Sequence, residues 1–233
     1  MNFIWDENTI RWYQEANEYT GFYKNVATLI APSLQGYADF CDMGCGLGLI
    51  DLELSDCIDR ITCVDINELV IQALQKSIKA REIDNIDARV MDISYLEENW
   101  DVIHLSFFGS RSLVKYLPRC KKLIAVVTKT DYPAFYPVKY KKTRRSTVAD
   151  VEQILTDLGI PYSLQDVCLE FGQPLRSMEE ARSFVRAEAS DISEDDLNDF
   201  LSEHLVETGQ EEYPFYIPNL KTFGIFEIEG YLK

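Results

Sequence analysis

Histidine is nearly missing from this sequence, with two among 233 residues, and positive charge is scarce, with 23 Lys and Arg against 39 Asp and Glu. Neither His104 nor His204 has a recognisable ligand partner nearby, so no metal site is expected, and no histidine-based triad is displayed. His104 lies inside an apolar strand and reads as a satisfied core residue; His204 reads as solvated. The formal net charge of −16 sets up a field that repels phosphate backbones and anionic lipid, which excludes nucleic acid and membrane surfaces as expected partners. The six cysteines (Cys41, Cys45, Cys57, Cys63, Cys120, Cys168) contain no Cys-x-x-Cys pair. Several sit in apolar runs where Cys acts as a small hydrophobe, so a reducing compartment is expected. No apolar run approaches the ~20 residues of a spanning helix. The first residues lack a basic segment followed by an apolar one. A soluble, cytoplasmic protein is the expectation. Internal repeats and low-complexity linkers are absent as well.

What is present is a regular alternation. Residues 6–31 place Ile10, Tyr13, Ala16, Phe22, Val26 and Ile30 at helical spacing, as two helices broken near Thr20-Gly21. Strands are then expected over Tyr37–Met43, Arg60–Val64, Ile86–Met91, Trp100–Phe107, Leu123–Thr128 and Tyr162–Glu170. Helices over Leu49–Leu54, Leu69–Arg81, Ser112–Leu117 and Val148–Leu158 separate them. Strands alternating with helices predict a doubly wound α/β fold with a mostly parallel sheet covered on both faces. Residues 177–207 break the pattern as helices, and Thr222–Leu232 reads as a last strand. The expected organisation is a single domain over 1–233. Within it lie a helical N-terminal segment (1–34), a core (35–173), a helical insertion (174–217) and a final strand (218–233).

The most informative stretch is Asp42-Met43-Gly44-Cys45-Gly46-Leu47-Gly48, between a strand and a helix start. Glycines there let the backbone turn sharply and approach a ligand, and a helix start offers unpaired N–H groups. The next strand ends in Asp65, placed to accept hydrogen bonds from two ribose hydroxyls. A dinucleotide fingerprint needs Gly-x-Gly-x-x-Gly, but Leu49 stands where its third glycine belongs. Asp42 would also be unhelpful beside a pyrophosphate, and favourable beside a sulfonium and an amino group. A nicotinamide oxidoreductase is therefore disfavoured.

Asp42-Met43-Gly44-Cys45-Gly46-Leu47-Gly48 resembles the first motif of class I S-adenosylmethionine-dependent methyltransferases, Asp65-Ile66-Asn67 the second, and Met91-Asp92-Ile93 the third. The resemblance implies a seven-stranded Rossmann-like methyltransferase fold with an antiparallel last strand. It also implies S-adenosylmethionine as cofactor and S-adenosylhomocysteine as product. It assigns Gly44, Cys45, Gly46 and Gly48, with Asp42 nearby, to the methionyl part. Asp65 goes to the ribose, Ile66 to the adenine face, and Asp92 and Ile93 to the rest of the adenine pocket. Ser106 joins the pocket at the end of the fourth strand. A helix N-cap is the lesser alternative for Asp92, and a plain strand-end hydroxyl is an equal one for Ser106.

On the acceptor side, Leu105-Ser106-Phe107-Phe108-Gly109 stands where amino-group methyltransferases of the family carry Asn/Asp-Pro-Pro-aromatic. The departure argues against a nucleobase or amide acceptor and for a small molecule. In-line methyl transfer needs positioning more than a base, and no catalytic residue is assigned. Candidate acceptor contacts are Tyr13, Tyr19 and Tyr23 of an N-terminal lid, with Phe107 and Tyr136; for the lid tyrosines, simple helix packing competes. The basic run Lys139-Tyr140-Lys141-Lys142-Thr143-Arg144-Arg145 either binds an anionic acceptor or offsets the acidic surface. From Glu188 to Glu212 there are ten acids and no Lys or Arg, which could dock on that loop or face a protein partner. The expected function is methyl transfer to a small molecule; the alternative is a non-catalytic cofactor-binding protein acting as a sensor or complex partner.

Overall fold

The computed structural model describes residues 5–232. Helix α1 (Glu7–Thr20) starts at Asp6, whose carboxylate accepts from the Thr9 N–H while the Thr9 hydroxyl accepts from Asp6 N–H. It stops at Gly21 in the left-handed conformation, and α2 (Phe22–Ile30) follows. Then come β1 (Asp39–Met43), α3 (Leu49–Leu54), β2 (Arg60–Asp65), α4 (Glu68–Ala80), β3 (Ile86–Val90), β4 (Trp100–Ser106) and β5 (Cys120–Thr128). The remainder is α5 (Val148–Asp157), β6 (Tyr162–Glu170), β7 (Gln173–Leu175), α6 (Met178–Glu188), α7 (Glu194–His204), β8 (Val206–Glu207), β9 (Phe215–Ile217) and β10 (Leu220–Glu229).

The chain divides into two compact units, one of residues 23–130, 146–167 and 222–232, the other of residues 5–22, 131–145 and 168–221. The larger carries a seven-stranded sheet in the order β3-β2-β1-β4-β5-β10-β6. Strands β1 to β5 pair in parallel and β10 runs antiparallel to β5, as the sequence predicts. Its central strands are apolar on both faces because helices cover both: Val102, Ile103, Leu105, Leu123, Ile124 and Ala125 are all shut off from solvent. Strand β10 departs from the expected alternation, since Phe223, Ile225, Phe226 and Ile228 are all buried. Interior strands of this sheet have no polar face.

In the smaller unit, α1 packs with the 174–217 segment. That segment contains α6 and α7 as expected, and also a small sheet in the order β7-β9-β8. Its core comprises Trp12, Leu175, Ala181, Phe184, Val185, Leu197, Phe200, Leu201 and Ile217. Around that core runs an ion-pair network. Buried Glu15 meets Arg11 at 3.0 Å and Arg176 at 2.5 Å, and Glu180 meets Arg11 at 2.6 Å and the Trp12 indole N–H at 3.0 Å. A buried carboxylate is tolerable only with such partners.

Candidate functional site

In the larger unit, β1 ends at Met43 and the chain turns through Gly44, Gly46 and Gly48, with φ of +77°, +54° and +60°. Two N–H groups, of Gly44 and Cys45, donate to the Val64 carbonyl at 2.8 and 3.1 Å, which fastens the turn to β2. The Gly46 N–H donates to one carboxylate oxygen of Asp65 at 3.0 Å, and the other oxygen accepts from Asn67 N–H at 2.9 Å. Asn67 in turn caps α4. The turn and the second-strand acid thus form one piece. Beside Asp65, Ile66 is 54% exposed and Val90 52% exposed, an apolar platform at the carboxyl edge of the sheet.

Positive φ explains why glycine stands at these positions, and contact distances add a second reason. A Cβ on Gly48 would lie 2.6 Å from both methyls of Leu74, and one on Gly44 would lie 2.6 Å from the Phe108 ring. The expected close approach to Gly44 is therefore made by Phe108, a residue the sequence reading left unassigned. Its placement follows from Phe107, which takes the left-handed conformation (φ +53°) and turns its own ring edge-on to Phe223 at 5.6 Å. Ser106 sits at the end of β4 with its hydroxyl oxygen buried and without a hydrogen-bond partner among the described residues. Asp92 accepts from Ser94 N–H at 2.8 Å and caps a short 3-10 turn; those bonds hold its carboxyl below the usual range. Cys45 is a thiol pushed up to about 11 by burial, so it is no nucleophile.

Beneath the turn lies a group that sequence reasoning missed. Asp42, 1% exposed, receives His104 Nδ1–H at 2.9 Å, and Asp51 of α3 is fully buried beside Asp42. Apart from the weak Cys63 thiol, no donor among the described residues reaches the Asp51 oxygens. Burial first, then the Asp42 charge, push the Asp51 carboxyl well above its usual range. Asp51 is consequently held toward its protonated form beside Asp42. Asp42 is committed to this buried cluster. His104, expected to be a satisfied core residue, is bonded only through Nδ1, since Nε2 has no partner among the described residues.

Of the candidate acceptor contacts, Tyr13, Tyr19 and Tyr136 lie in the smaller unit, and Tyr23 and Phe107 in the larger. The Tyr13 ring meets Phe171 edge-on at 5.2 Å. Tyr19 lies 5.0 Å from the Tyr216 ring and 5.9 Å from the Tyr213 ring, its hydroxyl accepting from the Gln210 side chain. Tyr23 is buried. The basic loop and the acidic helices do pair within the smaller unit. Lys139 meets Asp196 at 2.6 Å, Lys142 meets Asp191 at 3.0 Å, and Lys141 is bound by Asp131.

Residues 40–126 match a family described as a methyltransferase domain. Among solved structures, the chain is similar to a candidate methyltransferase from Bacillus halodurans C-125 at 10% identity and TM-score 0.58, over 89% of this chain and 99% of that one. Magnesium protoporphyrin IX methyltransferase from Synechocystis PCC 6803, with bound SAH, aligns at 12% identity and TM-score 0.56 over 99% and 90% of the two chains. A candidate RNA methyltransferase from Pyrococcus horikoshii aligns at 11% identity and TM-score 0.52, over 91% and 85%. At such identities these likenesses speak to the fold.

Proposed function

We propose that this chain, whose residues 40–126 match a methyltransferase domain, is a class I S-adenosylmethionine-dependent methyltransferase that transfers the cofactor's methyl group to a small-molecule acceptor. The observation that carries the site is the single piece made by the Gly44–Gly48 turn and Asp65, through the 3.0 Å bond from Gly46 N–H. Residues there fit the cofactor on two counts: the buried Ser106 hydroxyl still has hydrogen bonds to give, and Ile66 and Val90 offer an open apolar platform.

Asp65 would hold the ribose hydroxyls through its remaining lone pairs, with Ile66 and Ile93 against the adenine and Asp92 toward its amino group. Gly44, Cys45, Gly46 and Gly48 would line the methionyl part, with Ser106 at its side. The cofactor supplies a methyl carbon already activated by positive sulfur. The protein supplies position and exclusion of water, and Phe108 over Gly44 is placed for the second task.

The acceptor is a small molecule on charge grounds. A chain of net charge −16 repels a polyanion at long range, and three lysines of its one basic loop are already spent on Asp131, Asp191 and Asp196. Calorimetric titration with S-adenosylmethionine and S-adenosylhomocysteine tests the site: the wild type binds both and Asp65→Ala loses at least about tenfold, the worth of one charge-assisted bond. Radiolabelled methyl transfer to a small-metabolite panel then separates an enzyme from a protein that only binds the cofactor. Folded protein that takes up neither ligand would sink the reading.

A further inference from the structure

Phe108 stands in the space that Gly44 leaves open. Three consecutive ring carbons, Cγ, Cδ1 and Cε1, lie 3.0, 2.6 and 3.0 Å from the point that a Cβ on Gly44 would take. A glycine in the left-handed conformation clears room there for a close approach to the backbone. That room belongs to the part of the turn given above to the methionyl end of the cofactor, and the phenyl ring fills it. Ring and ligand cannot both rest on Gly44.

The backbone on either side of Phe108 is pinned. Before it, Phe107 N–H donates to the Val126 carbonyl at 2.8 Å, and the Phe107 ring meets Phe223 edge-on at 5.6 Å. After it, the Gly109 carbonyl accepts from the Ser112 N–H at 3.0 Å and from the Ser112 hydroxyl at 3.2 Å. Phe107 and Gly109 both carry positive φ, +53° and +67°, so left-handed residues bracket Phe108. A bulky residue keeps that conformation only where its surroundings hold it, and such residues gather at sites that act. Between these two anchors the Phe108 side chain is 42% exposed. Rotation about its own side-chain bonds carries the ring off Gly44 without any movement of the loop, and exposed side chains make such turns in picoseconds to nanoseconds.

A group with a bond to give lies beside Gly44. Carried two residues on, the β1–β4 register that sets Asp42 against His104 sets Gly44 level with Ser106. The Ser106 hydroxyl oxygen is buried and has no hydrogen-bond partner among the described residues. A shut-in hydroxyl without a partner is unfavourable, and a polar group of a ligand seated on Gly44 would relieve it. Filled space next to an unsatisfied hydroxyl marks a site that is covered.

We propose that Phe108 is a side-chain gate on the methionyl end of the cofactor cleft, closed when its ring rests on Gly44 and open when the ring turns outward. This rests on the reading of the chain as an S-adenosylmethionine-dependent methyltransferase. Only the open rotamer admits the amino-acid part of the ligand. The adenosine part, which goes to Asp65, Ile66 and Asp92, is indifferent to the ring. Because the loop is pinned, the turned ring stays at the rim of the cleft and goes on screening it from water. A fast gate of this kind lowers apparent affinity and association rate by the open fraction, and leaves the dissociation rate alone.

The test compares the wild type with Phe108→Ala, with S-adenosylhomocysteine and adenosine as probes. Calorimetry gives the affinities, and surface plasmon resonance on the immobilised full chain gives the rates. For an open fraction of about one tenth, Phe108→Ala is expected to bind S-adenosylhomocysteine about tenfold more tightly. The gain should lie in the association rate, and adenosine affinity should stay as it was. Phe108→Leu keeps a smaller apolar filler and is expected to fall between the two; it carries the test if the alanine variant does not fold. Unchanged or weaker S-adenosylhomocysteine binding, a gain carried by the dissociation rate, or an equal gain for adenosine overturns the gate and leaves the cofactor reading standing. Folded wild type and variants that bind neither probe overturn the cofactor reading and the gate together.

Discussion

His104 Nδ1 lies 2.9 Å from a carboxylate oxygen of Asp42, and strand register is what puts them there, because the two residues stand side by side where β1 pairs with β4. Both side chains are sealed from water. Only Met43 separates Asp42 from the glycine turn, so the bond anchors the turn from below. Asp42→Ala strands the imidazole and the Asp51 proton together. A loss of about 3–5 kcal/mol in urea unfolding is expected, the size seen when one partner of a buried pair is removed. A loss under 1 kcal/mol would mean the cluster relaxes freely.

Asp51 gives a pH signature. Its carboxyl is raised in the fold, so the native state holds a proton that the unfolded chain releases in the ordinary aspartate range. Stability from this group is complete at low pH and declines as pH rises from that range through the folded value. Asp51→Asn keeps a donor for Asp42 and removes the titration. The variant should match the wild type in melting temperature at acid pH and exceed it at neutral pH. A wild type that gains on the variant as pH rises would place the proton elsewhere.

Asp51 also shows where sequence reading stopped. The helices and strands were legible because their periods are, and the largely apolar β4 announced a central strand. The glycine turn and Asp65 followed from spacing. Asp51 looked like an ordinary acid in the first turn of a helix, and nothing local says that α3 turns it onto Asp42. Strands β7, β8 and β9 were missed because two or three residues cannot display an alternation, and Pro174 argues against a strand. Phe107 was preferred to Phe108 because a positive φ at a bulky residue has no sequence signal. The pairing of Lys139 and Lys142 with α7 and its approach is tertiary, visible in sequence only as opposite charge.

The two outer glycines of the turn should behave differently. Both carry positive φ, so alanine at either costs about 1–2 kcal/mol. At Gly48 the new methyl also drives into Leu74, which is fully buried and cannot move, adding about 1–3 kcal/mol of overpacking. At Gly44 it meets Phe108, 42% exposed and free to swing outward. Gly48→Ala is therefore the larger loss in thermal unfolding. Gly44→Ala should fold and show weakened S-adenosylhomocysteine binding by calorimetry. Equal stability losses would contradict the part given to Phe108.

Asp196 organises the basic loop. It accepts from Lys139, from the Tyr140 hydroxyl and from the Ser193 hydroxyl, and these bonds, Lys139 first, lower its carboxyl to about 2. Asp196→Asn should leave the main core intact and raise amide hydrogen exchange over residues 138–142. Unchanged exchange there would mean that Lys141 and Asp131 alone hold the loop.

Lys221 ties stability to pH. Its folded value of about 7 lies below the unfolded lysine value of about 10.4, so between the two the unfolded chain binds the extra proton and stability rises with pH. Below pH of about 7 both states are charged and the whole cost of the desolvated ammonium falls on the fold. Lys221→Met keeps a flexible apolar chain between Phe22 and Phe171 and removes the charge. Near pH of about 6 the variant should be the more stable by about 2 kcal/mol, a discounted share of the full linkage because Lys221 keeps some contact with water. Toward pH of about 10 that gap should close. Thermal melts of both proteins across pH decide this. A gap that stays constant with pH would mean that burial does not move the Lys221 titration.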